Sequence, residues 1–324
     1  MPMKLPRLFF VATMAAAMTA SVPAHAADSA DIPGWLQKHV GTGYGQIAPV
    51  VLERARALYQ QKVKAGEISN PCYFAKDVTR PSGTNGVATP RFYVICEEEK
   101  SFQAVSSGYG NGRNLKKADF SNGRQCAQNF SNAEGSKLTM GGPYVTAETK
   151  TSFKGYYEQG GKKTPFYRSF LQYEGEGETE NAREREIGGH EARFLKWQCR
   201  FKKEDSPHAD DEGYVPFGTL VNYTGGRSNG CTTWSPSETE EVLPLADGKP
   251  TTLYVYPESR DIDAVANAVT AGTSLSKAGV YWNAECLKAI GKPKFWPKSQ
   301  LQPIIDDWRE SLPEMAPYVL PICK

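Results

Sequence analysis

The chain has 324 residues, and its 38 Lys and Arg nearly balance its 36 Asp and Glu. This balance argues against a partner such as nucleic acid or an anionic membrane, and a hydrophobic fraction of 40% argues against a disordered chain. The 30 Gly and 22 Pro favour many turns, and therefore β structure with long loops rather than a helical bundle.

The first 26 residues have the pattern of a secretory signal peptide. Lys4 and Arg7 precede an apolar run at 8–22, and Ala24-His25-Ala26 forms an A-x-A cleavage site. No later segment has the length and apolar character of a transmembrane helix. We therefore expect a mature chain that begins near Ala27, has no membrane span and resides in an oxidising compartment.

The residue pattern of the remaining chain changes twice along its length, which predicts three parts. Residues 27–70 form an N-terminal helical segment, because apolar residues recur on one face of 48–65. Residues 71–258 contain short β-rich runs separated by turn residues, so we expect a mainly β domain there. Residues 259–324 form a helical C-terminal extension. The individual predictions are strands at 92–95, 103–105, 166–173 and 252–256, and helices at 235–243, 262–269 and 299–312.

Seven cysteines allow three disulfides and leave one thiol over. Pairing neighbours along the chain predicts the bridges Cys72–Cys96, Cys126–Cys199 and Cys286–Cys323. Cys231 is then the odd residue. Spacing alone leaves open that Cys231 is structural and that another cysteine is spare.

The residues around Cys231 are those that a thiol nucleophile requires. Gly230 allows close approach of a substrate and lets successive backbone N–H groups point towards one oxyanion. Ser228 would orient an imidazole or bind the acyl donor, and Arg227 would favour the thiolate or bind a substrate carboxylate. Such a polar turn is an unusual place for a half-cystine.

A general base is the second requirement, and His190 is the best candidate. It follows Ile187-Gly188-Gly189, a pattern typical of the end of a strand, which would place the imidazole in a pocket. The other histidines expected in the mature chain are His39 and His208, and His208 lies in a polar loop.

These residues fall within a longer pattern that resembles the L,D-transpeptidase (YkuD-like) catalytic domain over about residues 72–256. The most specific match is Ser228-Asn229-Gly230-Cys231, where the family has Ser/Thr-His-Gly-Cys downstream of a histidine. The other matches occur in the family's order along the chain. They are Phe130-Ser131-Asn132, Gly135-Ser136, Leu138–Gly141 with Pro143-Tyr144, and Asn181–His190.

The resemblance implies an L,D-transpeptidase-like β-sandwich or barrel and an enzyme that remodels peptidoglycan in the periplasm of a Gram-negative bacterium. Cys231 would form a thioester with a stem peptide, and His190 would act as the base. The backbone N–H groups of Gly230 and Cys231 would form the oxyanion hole. A diaminopimelate amine of a second stem would then accept the acyl group. The resemblance implies no metal or organic cofactor, and a monomer is the default.

Three departures from the family pattern concern the donor site. Asn229 replaces a second histidine, Thr233 replaces an arginine common in the family, and His190 lies 41 residues before Cys231, about twice the usual interval. Residues 197–221 are therefore predicted to be an insertion, a loop walling the pocket. The cross-link is either 3→3 or, with the first stem residue as donor, 1→3. The candidate substrate-binding residues are Arg227, Thr233, Arg183, Arg185, Tyr109 and Trp234.

Alternative functions remain open at this stage. An L,D-carboxypeptidase or endopeptidase would pass the thioester to water and so trim stems or release tethered lipoproteins. A non-catalytic peptidoglycan-binding protein would be favoured if Cys231 were disulfide-bonded. A zinc amidase is disfavoured because no H-E-x-x-H motif is present. Arg183 and Arg185 would bind stem carboxylates or pair with the acidic run at 174–180.

Overall fold

The computed structural model describes residues 32–83, 86–223, 227–314 and 319–324. Residues 32–324 form one compact unit. The predicted signal peptide lies outside the described residues, and the predicted boundaries at 70/71 and 258/259 stay predictions. Among the described residues, no helix has the length and apolar character needed to cross a membrane.

The fold is mainly β, as predicted, and its centre is a ten-stranded mixed sheet. The strand order is β14-β10-β9-β8-β15-β1-β2-β3, and a hairpin of β11 and β12 joins it where β12 pairs with β8. The strands of this sheet are β1 Cys72–Asp77, β2 Pro90–Cys96, β3 Ser101–Ser106, β8 Gly142–Gln159, β9 Lys162–Gly175, β10 Gly188–Glu191, β11 Arg193–Lys202, β12 Tyr214–Asn222, β14 Thr232–Trp234 and β15 Thr252–Tyr256. The short strands are β4 Tyr109–Gly110, β5 Asn114–Leu115, β6 Ala118–Asp119, β7 Asn129–Phe130, β13 Arg227–Ser228 and β16 Lys294–Phe295.

The hairpin β8–β9 is the longest element, and its turn explains its register. Gly160 and Gly161 both have positive φ, at 58° and 74°, which is the requirement of a two-residue type I′ turn. The turn pairs Gln159 with Lys162, and the two strands then stay paired as far as Tyr144 and Gly175. Two β-bulges, between Thr146 and Thr149 and between Phe153 and Gly155, interrupt the alternation of side chains in β8, whereas β9 alternates its side chains between two faces.

The helices cover the sheet and the C-terminal end of the chain. Helix α2 buries Val51, Leu52 and Ala55 against Tyr73 and Tyr254 of β1 and β15, as its periodicity predicts. The other predicted helices are also present with slightly different ends. The helices are α1 Gly34–Gln37, α2 Pro49–Lys64, α3 Pro236–Ala246, α4 Ser259–Thr270, α5 Ala284–Ile290 and α6 Lys298–Glu310, with a 3-10 helix at Gly177–Ala182.

Two of the three predicted disulfides are wrong. Cys72–Cys96 is confirmed, since the two residues face each other in the antiparallel pair β1–β2. The remaining bridges are Cys126–Cys286 and Cys199–Cys323. The C-terminal extension does not bridge to itself, because it packs back on the main domain: β16 pairs with β7, and a β-bridge joins Arg200 to Ile322.

The predicted insertion at 197–221 is a hairpin rather than an irregular loop. It comprises most of β11 and β12, which pair from Arg193–Asn222 to Lys202–Tyr214. Phe217 and Gly218 continue the main sheet by pairing with β8. The base of this hairpin lies next to His190 and so reaches the candidate site.

Candidate active site

A cleft of about 900 Å³ opens beside strands β8, β9 and β10 and has Cys231 and His190 in its wall. Its described lining includes six basic side chains and one carboxylate, that of Glu186. An excess of positive charge around a concave site favours anionic ligands. The lining residues are Asn111, Lys150, Ser152, Lys154, Arg168, Phe170, Gln172, Arg183, Arg185, Glu186, His190, Phe194, Tyr223, Arg227, Ser228, Asn229 and Cys231.

The turn before Cys231 is held by the hydroxyl of Ser228. This hydroxyl accepts a hydrogen bond from the N–H of Gly230 at 3.1 Å and donates to the carbonyl of Cys231 at 2.6 Å. Gly230 has φ +114°, and a Cβ there would lie 3.0 Å from the carbonyl oxygen of Leu138. The position therefore requires glycine for both backbone conformation and space.

The hydrogen bonds of this turn bear on two predicted roles. The hydroxyl of Ser228 bonds to the backbone of the turn, and no hydrogen bond of the described residues joins it to His190; its alternative role in binding the acyl donor stays a prediction. The N–H of Gly230 is already engaged by Ser228, so it is not free for an oxyanion in this conformation. An oxyanion role for the N–H of Cys231 stays a prediction.

The thiol of Cys231 is free and nearly buried, with 8% of the residue exposed. Its Sγ lies 3.3 Å from the carbonyl oxygen of Glu186, to which the S–H donates. Glu186 has φ +53°, an uncommon conformation for a residue other than glycine. Non-glycine residues with positive φ recur at functional sites. The thiol therefore rests in its protonated form against a fixed carbonyl.

His190 lies in β10, the strand that pairs with the one that follows Cys231. The parallel pairing of β10 with β14 places His190 beside Thr233 and Gly189 beside Thr232. Cys231 immediately precedes β14, and both Cys231 and His190 line the cleft. The imidazole stacks on the ring of Phe170, with centroids 5.9 Å apart.

Arg168 of β9 contacts both ring nitrogens of His190. Its Nη2 lies 2.6 Å from Nδ1 and 3.0 Å from Nε2, and Nδ1 also lies 2.8 Å from the carbonyl oxygen of Glu191. A neutral imidazole has one lone pair for hydrogen bonding, whereas an imidazolium has none. The guanidinium therefore favours neutral His190, whichever nitrogen carries the proton.

Burial and neighbouring charges keep both candidate catalytic groups neutral. Burial, together with the positive charges of Arg168 and Lys76, lowers the pKa of His190 to about 3. Burial raises the pKa of the Cys231 thiol, and a hydrogen bond from the backbone of Gly188 and the same two cations only partly offset that effect. The resting site is thus a thiol and an imidazole rather than a thiolate–imidazolium pair.

Lys76 is a buried cation behind this site, with 1% of the residue exposed. Its Nζ donates to Oγ1 of Thr232, the neighbour of Cys231, at 3.0 Å. Burial and the positive charge of Arg91 lower the pKa of Lys76 to about 7, although Cys231 has the opposite effect. The structure therefore keeps a partly charged amine close to the thiol.

Five residues predicted as orienting or substrate-binding line the cleft, one of which is Ser228 of the turn described above. Asn229 is exposed there, and Arg227 donates to the carbonyl of Asn122 at 3.1 Å. Arg185 is half-buried and donates to the carbonyl of Leu138 at 2.7 Å. Arg183 is exposed and forms ion pairs with Glu148 and with Glu174 of the acidic run.

Three other predicted substrate-binding residues are buried and are not among the cleft-lining residues. Tyr109 and Trp234 are fully buried, and Thr233, which pairs with His190, is 3% exposed. The Tyr109 ring packs under the guanidinium of Arg91, and the Trp234 ring packs edge-on against Phe92. Position near the nucleophile in sequence did not bring these side chains to the cleft.

Arg168 and Lys76 were missed by the sequence reasoning, but Arg168 left a signal. The strand predicted at 166–173 alternates, so residues 168, 170 and 172 share one face, and all three line the cleft. Lys76 left no comparable signal, because a lysine in a strand is normally directed to solvent.

Within the described part of the chain, no group of three or more His, Cys, Asp and Glu side chains is arranged to hold a metal ion. Neither a protein-family model nor a curated protein nor a solved structure matches this chain. The resemblance to L,D-transpeptidases therefore depends on the motifs given above.

Proposed function

We propose that this protein is a cysteine L,D-transpeptidase that cross-links peptidoglycan stem peptides through a thioester on Cys231. The observation that carries the proposal is a disulfide-free thiol in the wall of a cationic cleft that His190 also lines. A thiol and an imidazole are the minimum groups for acyl transfer by covalent catalysis. In this proposal the sheet corresponds to the L,D-transpeptidase-like sandwich or barrel.

The first half of the reaction forms the acyl-enzyme. Sγ of Cys231 attacks the carbonyl carbon of the donor while the thiol proton passes to the lone pair of His190. The tetrahedral intermediate collapses as its C–N bond breaks, and His190 returns the proton to the leaving amine. The products are a thioester on Cys231 and the released downstream part of the donor.

The second half transfers the acyl group to an amine of another stem. The acceptor nitrogen attacks the thioester carbonyl, and His190 takes one proton from this nitrogen. The C–S bond then breaks, and the sulfur recovers the proton from His190. The new amide is the cross-link, and the site returns to its neutral resting state.

The chemistry of the cleft supports a substrate with several carboxylates. Stem peptides of the kind that the family uses are anionic, and the basic side chains of the cleft would attract them. Asn229 faces this space where the family has a histidine, so the identity of the donor residue, 3→3 or 1→3, stays part of the proposal. The three disulfides are typical of an oxidising compartment, which is consistent with the proposed Gram-negative periplasm.

The proposal is tested by muropeptide analysis after expression of the full chain in a host without such enzymes. We expect 3→3 or 1→3 links with the wild type and none with Cys231→Ala. Ser169→Ala is the matched control, because Ser169 alternates away from the cleft-lining residues of β9 and bonds to Thr151. Cross-links retained by Cys231→Ala, or only 4→3 links with the wild type, would contradict the proposal.

The same experiment on purified muropeptides separates transfer from hydrolysis. A transpeptidase consumes the donor to give a product that contains an added amine acceptor. A carboxypeptidase or endopeptidase gives the trimmed stem at the same rate with or without that acceptor. The condition that favoured a non-catalytic binding protein, a disulfide at Cys231, is not met.

A further inference from the structure

Arg168 has an unusual set of partners for a partly buried guanidinium. Its Nη2 contacts only neutral groups among the hydrogen bonds of the described residues, namely the two nitrogens of His190 and the hydroxyl of Tyr223 at 3.2 Å. Its Nε is buried and has no hydrogen-bond partner within the described residues. A buried N–H without a partner is costly, so this side of Arg168 is prepared for an acceptor that the resting protein does not supply.

The position of Arg168 obstructs the proposed chemistry. While Nη2 donates to the lone pair of His190, that lone pair is not available to take the thiol proton. An arginine side chain does not give up its own proton, and its charge opposes a second positive charge on the imidazole. The resting site is therefore assembled but blocked.

A carboxylate ligand would both give the Nε of Arg168 a partner and free the lone pair of His190. Nε and Nη2 of an arginine form a planar fork that matches the two oxygens of a carboxylate, and such charge-assisted pairs are stronger than a bond to a neutral ring nitrogen. The cleft around Arg168 is cationic and therefore attracts such a ligand. A carboxylate on the fork would compete directly with His190 for Nη2.

We propose that Arg168 binds a carboxylate of the acyl donor through Nε and Nη2, and that this binding releases the imidazole of His190 to accept the proton of Cys231. The inference rests on the proposed function in taking Cys231 as the nucleophile and His190 as the base. It adds a carboxylate subsite and makes the base dependent on donor binding, so that the site is active only when a donor is present.

The surroundings of His190 determine what its release would change. The imidazole is in contact with Arg168 and Phe170 of β9 and with the carbonyl of Glu191 on its own strand, and Lys76 of β1 acts on it through its charge. Tyr223 after β12 and Cys231 before β14 interact with Arg168. Two of these groups are cations, and Arg168 is the one in direct contact. Neutralising Arg168 therefore raises the pKa of His190 towards its ordinary value, although burial still opposes protonation.

The carboxylate subsite is tested with two small alkylating probes that differ only in charge. Iodoacetate carries a carboxylate beside its reactive carbon, whereas iodoacetamide carries a neutral amide, and both alkylate Cys231 with loss of iodide. The ratio of their rates cancels the intrinsic reactivity of the thiol. We expect Arg168→Gln to lower the iodoacetate/iodoacetamide ratio about tenfold, as loss of one charge-assisted pair predicts.

Two further variants sharpen this result. Arg193→Gln removes the same charge from a nearby arginine that bonds to Asn222 and does not line the cleft, so its ratio stays within twofold of wild type. Arg168→Lys keeps the charge without the planar fork and gives an intermediate ratio. A wild-type ratio in Arg168→Gln would overturn the carboxylate subsite, and Arg168→Lys provides the same test if the glutamine variant does not fold.

The release of His190 is tested separately by NMR titration of its imidazole. We expect the pKa of His190 to rise in Arg168→Gln and to stay unchanged in Arg193→Gln. An unchanged pKa in Arg168→Gln would overturn the coupling between the two residues. Neither readout requires cross-linking activity, so failure of the proposed function and failure of this inference are distinguishable.

Discussion

Replacement of Lys76 by methionine tests whether a buried cation near Cys231 is maintained at the expense of stability. Lys76 is 1% exposed, and the one hydrogen bond that it makes to a side chain among the described residues is to Oγ1 of Thr232. Methionine has a similar shape and no charge. We therefore expect Lys76→Met to be more stable than the wild type at pH 7.

The magnitude follows from the change in pKa on folding. Folding lowers the pKa of Lys76 from 10.5 to about 7. Above pH 10.5 the Lys76 amine is neutral in both the unfolded and the folded state. As the pH falls from 10.5 to 7, the amine becomes protonated in the unfolded state but stays mostly neutral in the folded state. By linkage this destabilises the folded wild type by about 4 kcal/mol at pH 7. Loss of the hydrogen bond to Thr232 offsets about 1 kcal/mol, so the net gain of Lys76→Met is about 3 kcal/mol.

The assay is urea unfolding under non-reducing conditions at pH 7 and pH 9.5. From pH 7 to pH 9.5 the free energy of unfolding of the wild type rises relative to that of Lys76→Met. The two proteins therefore differ less in stability at pH 9.5 than at pH 7. Lys62→Met is the matched control. Lys62 is also buried, but the hydrogen bonds that it donates to Glu176 and Glu67 raise its pKa, so its replacement lowers stability at pH 7. A Lys76→Met protein that is less stable than the wild type at pH 7, or whose stability varies with pH as that of the wild type does, would contradict a destabilising charge at Lys76.

Three further predictions concern the chain around the thiol and its disulfides. Replacement of both Cys199 and Cys323 by serine opens a loop with a sequence separation of 124, and we expect a loss of about 4–5 kcal/mol in urea unfolding; an unchanged midpoint would contradict this pairing. Gly230→Ala forces a side chain into φ +114° against a backbone carbonyl, so we expect a loss of about 1–3 kcal/mol and slower alkylation of the thiol, with a wild-type unfolding curve as the opposing result. Ser228→Ala removes two hydrogen bonds from the same turn and is expected to lower stability by about 1–3 kcal/mol in the same assay, whereas a neutral effect would show that the turn does not need this hydroxyl.

Local patterns predicted the elements well because local chemistry decides them. Helix α2 follows from the apolar face of 48–65, and it begins and ends within one residue of the prediction. Helix α3 follows from Ser235 and Pro236, and the structure has the full capping box in which Ser235 and Glu238 bond to each other's backbone N–H. The identity of Cys231 as the unpaired thiol was also predicted correctly.

The errors arise where distant parts of the chain meet. Sequence proximity paired Cys126 with Cys199, whereas the C-terminal extension returns to bridge both of them. Trp234 follows Thr233 in β14, so alternation along the strand places it on the face opposite to Thr233 and His190. Alternation along β9 likewise groups Arg168 with the other cleft-lining residues of that strand, but the position of the cleft depends on the neighbouring strands. Burial of Lys76 depends on the packing of β1 behind β14, which no local pattern specifies.

The covalent state of Cys231 is the most direct test of the proposed function. The measurement is the mass of the intact mature protein after incubation with a purified stem-peptide donor and no acceptor, followed by addition of an amine acceptor. We expect one acyl adduct on Cys231 that the acceptor discharges, and no adduct on Cys231→Ala. A wild-type protein that converts the donor without an adduct on Cys231, or an adduct that persists in Cys231→Ala, would contradict the proposed function.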